Sequence, residues 1–286
     1  MWEMSNVSIA ATQMPIEHFA VDANIKKAMA DLQKAHRGDA DFACFPEGFL
    51  TGFVDGAYAR QHAQSVDGPI VNSFAKAAQE YGIYVIMGSF FERDGTDIYN
   101  TSVLISPNGP RQVQEDLLVA PEKPYTRRGS ELPVFETKFG KVGIQICWDL
   151  AFPEITRTLA LKGATMVFCP SFWLREDNAL LSKYTIDTEG RFIDSCSQSR
   201  AMENQVVVVF VNSGGRRLWN GPRQTFAGHT QITMPFYGCL GRLSAFTSGM
   251  LQRDVDLSVC DDAQGVYKVL DDVREVTKSK PLACFA

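Results

Sequence analysis

Residues 206–211 read VVVVFV, and this unbroken apolar run limits the fold more than any other feature of the 286-residue chain. β-Branched side chains favour an extended strand. A strand that is apolar on both faces has to be covered on both. Six residues fall far short of the ~20 needed to cross a bilayer, so other parts of the protein must do the covering. Strand-like stretches also lie at 7–14, 41–47, 83–91, 99–107, 142–149, 165–171 and 226–235. Helical spacing is predicted over 22–36 (Ile25, Met29, Leu32), over 69–81 with Pro69 at the first helical position, over 153–163, and in a stretch leading into 199–205. Covered strands that alternate with helices predict a layered α/β architecture.

No low-complexity linker, repeat or compositional break divides the chain, so residues 1–286 are expected to form one domain. From about residue 250 the pattern weakens, and a C-terminal tail that wraps the body or reaches a partner subunit is expected. The net charge of −5 disfavours nucleic acid or an anionic membrane as a partner. The N-terminal residues lack a basic stretch followed by a long apolar one, so no secretory leader is expected. The seven cysteines are scattered and form no C-x-x-C pair, unlike a disulfide framework or a structural zinc site. A reducing, cytoplasmic setting is predicted, with neither metal nor cofactor.

The chemistry centres on residues 143–154, GIQICWDLAFPE. A buried-type strand ends at Cys147 and turns polar within two residues. Free cysteine often serves as a small core hydrophobe, but a thiol at the carboxyl end of a strand is also where open α/β sheets build their sites. A thiol nucleophile needs a base. Of the four histidines, His18, His36 and His62 do not end a strong strand pattern, and His229 reads as a packed, hydrogen-bonded ring. A carboxylate can serve if its surroundings suit proton exchange. Residues 44–50, CFPEGFL, offer Glu47 between Phe45 and Phe49; its other reading is a solvated loop glutamate. There is no H-E-x-x-H and no G-x-S-x-G, which argues against a metalloprotease or a serine hydrolase.

Four motifs in order, FPEGFLTG, VGIQICWDLAFPE, RAMENQVVVVFVNSGG and FAGHTQITMPFYG, resemble the carbon–nitrogen hydrolase (nitrilase) superfamily over about residues 7–240. The resemblance implies a four-layer α-β-β-α sandwich, a Glu-Lys-Cys triad and a homodimer or larger homo-oligomer. It implies Glu47 as general base, Cys147 as nucleophile and the Trp148 N–H as an oxyanion donor. In PEKPYTRRG (121–129) it implies Glu122 as a helper carboxylate, with Tyr125 beside it facing substrate. Trp173 and Phe172 either line the pocket or belong to the core. Asp149 is expected to fix the loop, Glu154 to favour a helix start, and Arg200, Glu203 and Asn204 to form a buried polar network that holds strands together.

One departure stands out: no lysine precedes Glu122 where the family's triad lysine is expected. The commonest spacing puts Glu115 there and a longer one puts Arg111. Three readings follow. Lys123 swings in through a turn at Pro124; Arg111, Arg127 or Arg128 supplies the charge; or the fold persists with altered or lost chemistry. CWD followed by FPE resembles the amidase and N-carbamoyl amidohydrolase branches. The expected substrate is therefore a linear amide or N-carbamoyl compound, with a small nitrile as the alternative. Residues 172–199, carrying Arg175, Asp187, Glu189 and Arg191, are predicted to be the pocket loop.

Overall fold

The computed structural model describes residues 6–52, 55–109, 111–116, 125–175, 183–184, 187–217 and 224–279. Among them, one sheet holds β1 (Asn6–Gln13), β2 (Phe42–Cys44), β3 (Tyr84–Ile86), β4 (Phe90–Asp94), β5 (Asp97–Ile105), β6 (Arg111–Glu115) and β15 (Gly249–Asp256). Its order is β15-β1-β2-β3-β5-β4, with β6 paired to β5. A second sheet follows the order β14 (Gly238–Arg242), β13 (Gln231–Met234), β10 (Val207–Asn212), β9 (Ala164–Ser171), β8 (Gly140–Ile144), β7 (Val134–Thr137). A small ribbon pairs β11 (Arg216–Arg217) with β12 (Gln224–Thr225).

Strand alternation explains how the sheets stack. Val7, Ile9 and Ala11 of β1 pack with Phe42, Ile86 and Leu104 against Val142, Ile144, Phe168, Val207 and Val209 of the other sheet. The opposite face of the first sheet, with Ala10, Ala43, Val85 and Val103, receives Leu32 of α1 (Val21–Arg37) and Phe74 of α3 (Pro69–Tyr81). The outer face of the second sheet, with Val167 and Val208, receives Leu159 of α4 (Pro153–Leu161) and Ala201 of α5 (Thr188–Asn204). The layers run helix, sheet, sheet, helix, as expected. Residues 207–211 of the apolar run lie in β10, which is buried at every position between β9 and β13.

The segment after residue 250 has more structure than its pattern suggested. β15 pairs antiparallel with β1 through eight residue pairs, and α6 (Ser258–Tyr267) and α7 (Val269–Ser279) follow. Leu251 and Val255 enter the inter-sheet core, and Leu270 packs with α4 and α5. β15 is an edge strand whose Arg253 and Asp254 are exposed, so its apolar alternation is interrupted. The expected pocket loop is also corrected. Residues 188–204 are helix α5, with Asp187 accepting the Gly190 N–H at its start. α5 buries Ser197, Arg200 and Asn204 alongside Ile193 and Ala201, which hides a helical stripe. α2 (Gly56–His62) was not foreseen; Asp55 caps it by accepting from the N–H groups of Ala57 and Tyr58. No helix of the described residues is long and apolar enough to cross a membrane.

Candidate active site

β2 delivers Glu47. The chain leaves the strand through Phe45 and Pro46, and the Phe45 ring packs on Phe49 and Phe74. Gly88, with φ of +62°, lets the next strand's exit pass close beneath, since a Cβ there would sit 2.1 Å from the Pro46 oxygen. Glu47 is fully buried, so the solvated-loop reading fails. Its N–H donates to the Ser171 carbonyl at 3.2 Å, and its Oε1 accepts from Asn100 Nδ2 at 2.8 Å.

β8 delivers Cys147, which opens a 3₁₀ turn over Cys147–Ala151. The residue holds φ of +48°, a left-handed backbone that costs a non-glycine residue energy and is held by its surroundings. As expected, the buried Asp149 fixes this loop by accepting the Ile146 N–H at 2.9 Å. Arg200 anchors the turn from α5. Its Nε donates to the Leu150 carbonyl at 3.3 Å and a terminal nitrogen to the Ala151 carbonyl at 3.2 Å, while Glu203 pairs at 2.9 Å. The polar network expected to hold strands together instead holds the turn after the thiol, and its Glu203 is partly exposed. Glu154 lies in the first turn of α4 behind Pro153.

β9 joins the two residues. Its Ser171 carbonyl takes the Glu47 N–H, and its Cys169 thiol contacts the Cys147 carbonyl at 3.9 Å. These anchors are two residues apart, about 7 Å along a strand. Burial pushes the Cys169 thiol far up, with further upward pushes from Asp149 and Glu47. Cys44 is likewise pushed up by burial. Cys147 differs from both in being partly exposed.

Aromatic rings stand beside the thiol. Trp173, Leu150, Ile193 and Phe210 form a cluster on which Cys147 packs. Trp173 is nearly buried, and its Nε1 donates to Glu189 Oε2 at 2.6 Å. Its ring lies 5.5 Å from Trp148 and 5.6 Å from Phe192, and the last two are nearly parallel. Trp148 is 43 % exposed. Trp173 therefore belongs to the core and packs against the exposed Trp148. His229 is a packed ring as expected, with Nδ1 at 2.9 Å from Asp194.

The acidic side of the site differs from the alignment by spacing. Glu115 pairs with Thr101, whose hydroxyl donates to Glu92 at 2.6 Å. It therefore lies on the β5 face opposite Asn100, where burial and then the charge of Glu92 raise its pKa. Asp116 is the carboxylate on the Glu47 side: its Oδ2 accepts from Asn100 Nδ2 at 3.0 Å. Arg111 pairs with Ile105 at the other end of β6. Arg127 is bound to Asp97 at 3.1 Å and, like Arg128, is exposed. Glu122 and Lys123 lie outside the described residues. The chain on either side of them is fixed to one strand: Asp116 N–H donates to Asn100 O, Arg127 N–H to Ile98 O and Gly129 N–H to Asp116 O. Tyr125 packs with Ala59, Phe91 and Ile98, on the face that carries Asn100. Sequence reasoning missed Asn100 and Asp116; the signal available was a buried-type strand, YNTSVLISP, with an amide in it.

The carbon-nitrogen hydrolase family model matches residues 8–264. The chain belongs to that family. It is 33% identical over 279 residues to a nitrilase of Pyrococcus abyssi, covering 96% of this chain and 97% of the relative. It is 29% identical over 279 residues to the 2-oxoglutaramate amidase of Bacillus subtilis, covering 94% and 98%. A CN-hydrolase superfamily protein of Xanthomonas campestris, solved with an arsenic adduct in its active site, superposes with a TM-score of 0.81 at 19% identity, over 94% of this chain and 97% of that one. The fold is the nitrilase sandwich.

Proposed function

We propose that this carbon–nitrogen hydrolase cleaves a linear amide or an N-carbamoyl compound through a Cys147 acyl-enzyme, with Glu47 as general base. The observation that carries this reading is the shared anchorage of a fully buried Glu47 and a partly exposed Cys147 on β9, at positions two residues apart. In the first half-reaction Glu47 takes the thiol proton and the sulfur attacks the carbonyl carbon. The Trp148 N–H helps hold the oxyanion. Glu47 then returns the proton to the departing nitrogen as the C–N bond breaks. In the second half-reaction water gives a proton to Glu47 and its oxygen to the thioester carbon. The carboxylic or carbamic acid leaves and the thiol regains its proton.

Lys123 is the proposed cation, with Glu122 orienting it. Lys123 lies two residues before Tyr125, a separation of at most about 7 Å between Cα atoms, and Tyr125 packs on the Asn100 face of β5. Tyr125, Trp148 and Trp173 are proposed to bound the substrate. The Pyrococcus relative keeps a small nitrile as the second reading, in which sulfur adds to the nitrile carbon. A homodimer is proposed as well, through a surface where Phe236 and Tyr267 meet at 5.8 Å and Tyr237 is 69 % exposed. A reducing cytoplasm suits a mechanism that needs the Cys147 thiol free.

Ammonia release from a panel of short amides, carbamoyl amines and nitriles tests the reading. Wild type should turn over at least one amide or carbamoyl amine, and Cys147→Ala should abolish that turnover. Turnover of nitriles alone would favour the second reading, and no Cys147-dependent turnover of any compound would favour a family member with lost chemistry.

A further inference from the structure

We infer that Asp116 is a positioning residue for Glu47, acting through Asn100; this rests on the reading of Glu47 as general base. The three side chains are buried, at 0%, 1% and 2% exposure for Glu47, Asn100 and Asp116. Asn100 Nδ2 donates to Glu47 Oε1 at 2.8 Å and to Asp116 Oδ2 at 3.0 Å. The amide nitrogen faces both carboxylates. A reversed amide would set its oxygen against two carboxylate oxygens.

An asparagine amide turns about a broad, soft torsion. A single acceptor would leave its plane free to rock, whereas a second acceptor on its other proton fixes that plane. Asp116 supplies the second acceptor from a fixed place. Its own N–H donates to the Asn100 carbonyl at 2.8 Å, and its carbonyl accepts the Gly129 N–H at 3.0 Å. Asp116 and Asn100 are thus tied through main chain and side chain together. Both bonds of the amide run to carboxylates, the stronger kind. The outcome is a Glu47 carboxylate whose Oε1 is held in one place and at one angle by Asn100.

The test compares Asp116→Ala, Asp116→Asn and Glu47→Gln in the full-length protein, on the best amide or carbamoyl amine of the panel. A parallel readout is the rate at which iodoacetamide alkylates Cys147, followed by peptide mass spectrometry. Asp116→Asn keeps an oxygen acceptor and should hold both rates within about threefold of wild type. Asp116→Ala should lower kcat by about 10- to 100-fold, the range that small misplacements of a reacting group produce. KM should move less than about threefold, and alkylation should slow. If circular dichroism shows Asp116→Ala unfolded, Asp116→Leu fills the volume without an acceptor and takes its place.

A folded acceptor-less variant with wild-type kcat overturns the inference. So does an Asp116→Asn variant as damaged as Asp116→Ala, because charge and not geometry would then be at work. If Glu47→Gln leaves turnover and alkylation unchanged, the assignment of Glu47 itself fails. If Glu47→Gln is impaired while Asp116→Ala is not, the role of Asp116 alone fails.

Discussion

Cys147 and Cys169 are two neighbouring thiols in contrasting surroundings. Cys169 is fully buried beside two carboxylates and held protonated, whereas Cys147 opens a turn and meets solvent. Thiolate character and access govern alkylation. Iodoacetamide at pH 8 should therefore label Cys147 well before Cys44, Cys169 or Cys260, and even labelling of all four would contradict these environments. The buried thiols also predict a loss of stability in alkali. Burial pushes Cys260 up to about 12 from an ordinary value of 9.0. The unfolded chain releases this proton first as pH rises, so the contribution is full below pH 9 and fades between pH 9 and 12. The melting temperature of Cys260→Ala should fall less steeply than that of wild type over pH 8.5 to 10.5. At this scale the placement of Glu47 and Cys147 was legible, because each follows an apolar strand with a reactive group. Asn100 and Asp116 were not, because their meeting depends on the register of β5 with β6, which a single strand's pattern does not carry.

α5 shows how an element can serve the site from the far side of a sheet. Its Arg200 side chain is 8% exposed and its fork ends on the two carbonyls of the turn after Cys147. Planar, divided donors of this kind are not matched by an ammonium. Arg200→Ala should cost about 3 kcal/mol, in the range for breaking a buried charged contact, and Arg200→Lys should recover only part of it. Urea melts with tryptophan fluorescence check this, and a loss under about 0.5 kcal/mol would remove the anchoring role. The periodic helices α1 and α3 were legible, and α3 spans the expected 69–81 behind its leading proline, ending at Gly82 in the left-handed region. α5 was legible only at its end, since its buried face mixes a guanidinium, an amide and a hydroxyl with apolar groups.

In the whole molecule the two sheets carry one half of the candidate site each, and β15 closes the first sheet against β1. Removing residues 249–286 would bare β1 along eight paired positions and take Leu251 and Val255 from between the sheets. Such a bared edge invites pairing with other chains. The truncated protein should appear in the insoluble fraction or the void volume of a sizing column, and a soluble, active product would show that β15 is dispensable. The layered class was legible because apolar runs demand cover on both faces; the closing strand was not, because edge strands mix exposed charges into their alternation. The hydrogen bond from Glu47 to Ser171 runs across the seam between the sheets. Catalytic competence is then a gauge of how the two halves are aligned. Heat that lets one sheet slip against the other should silence the enzyme while its helices are still intact.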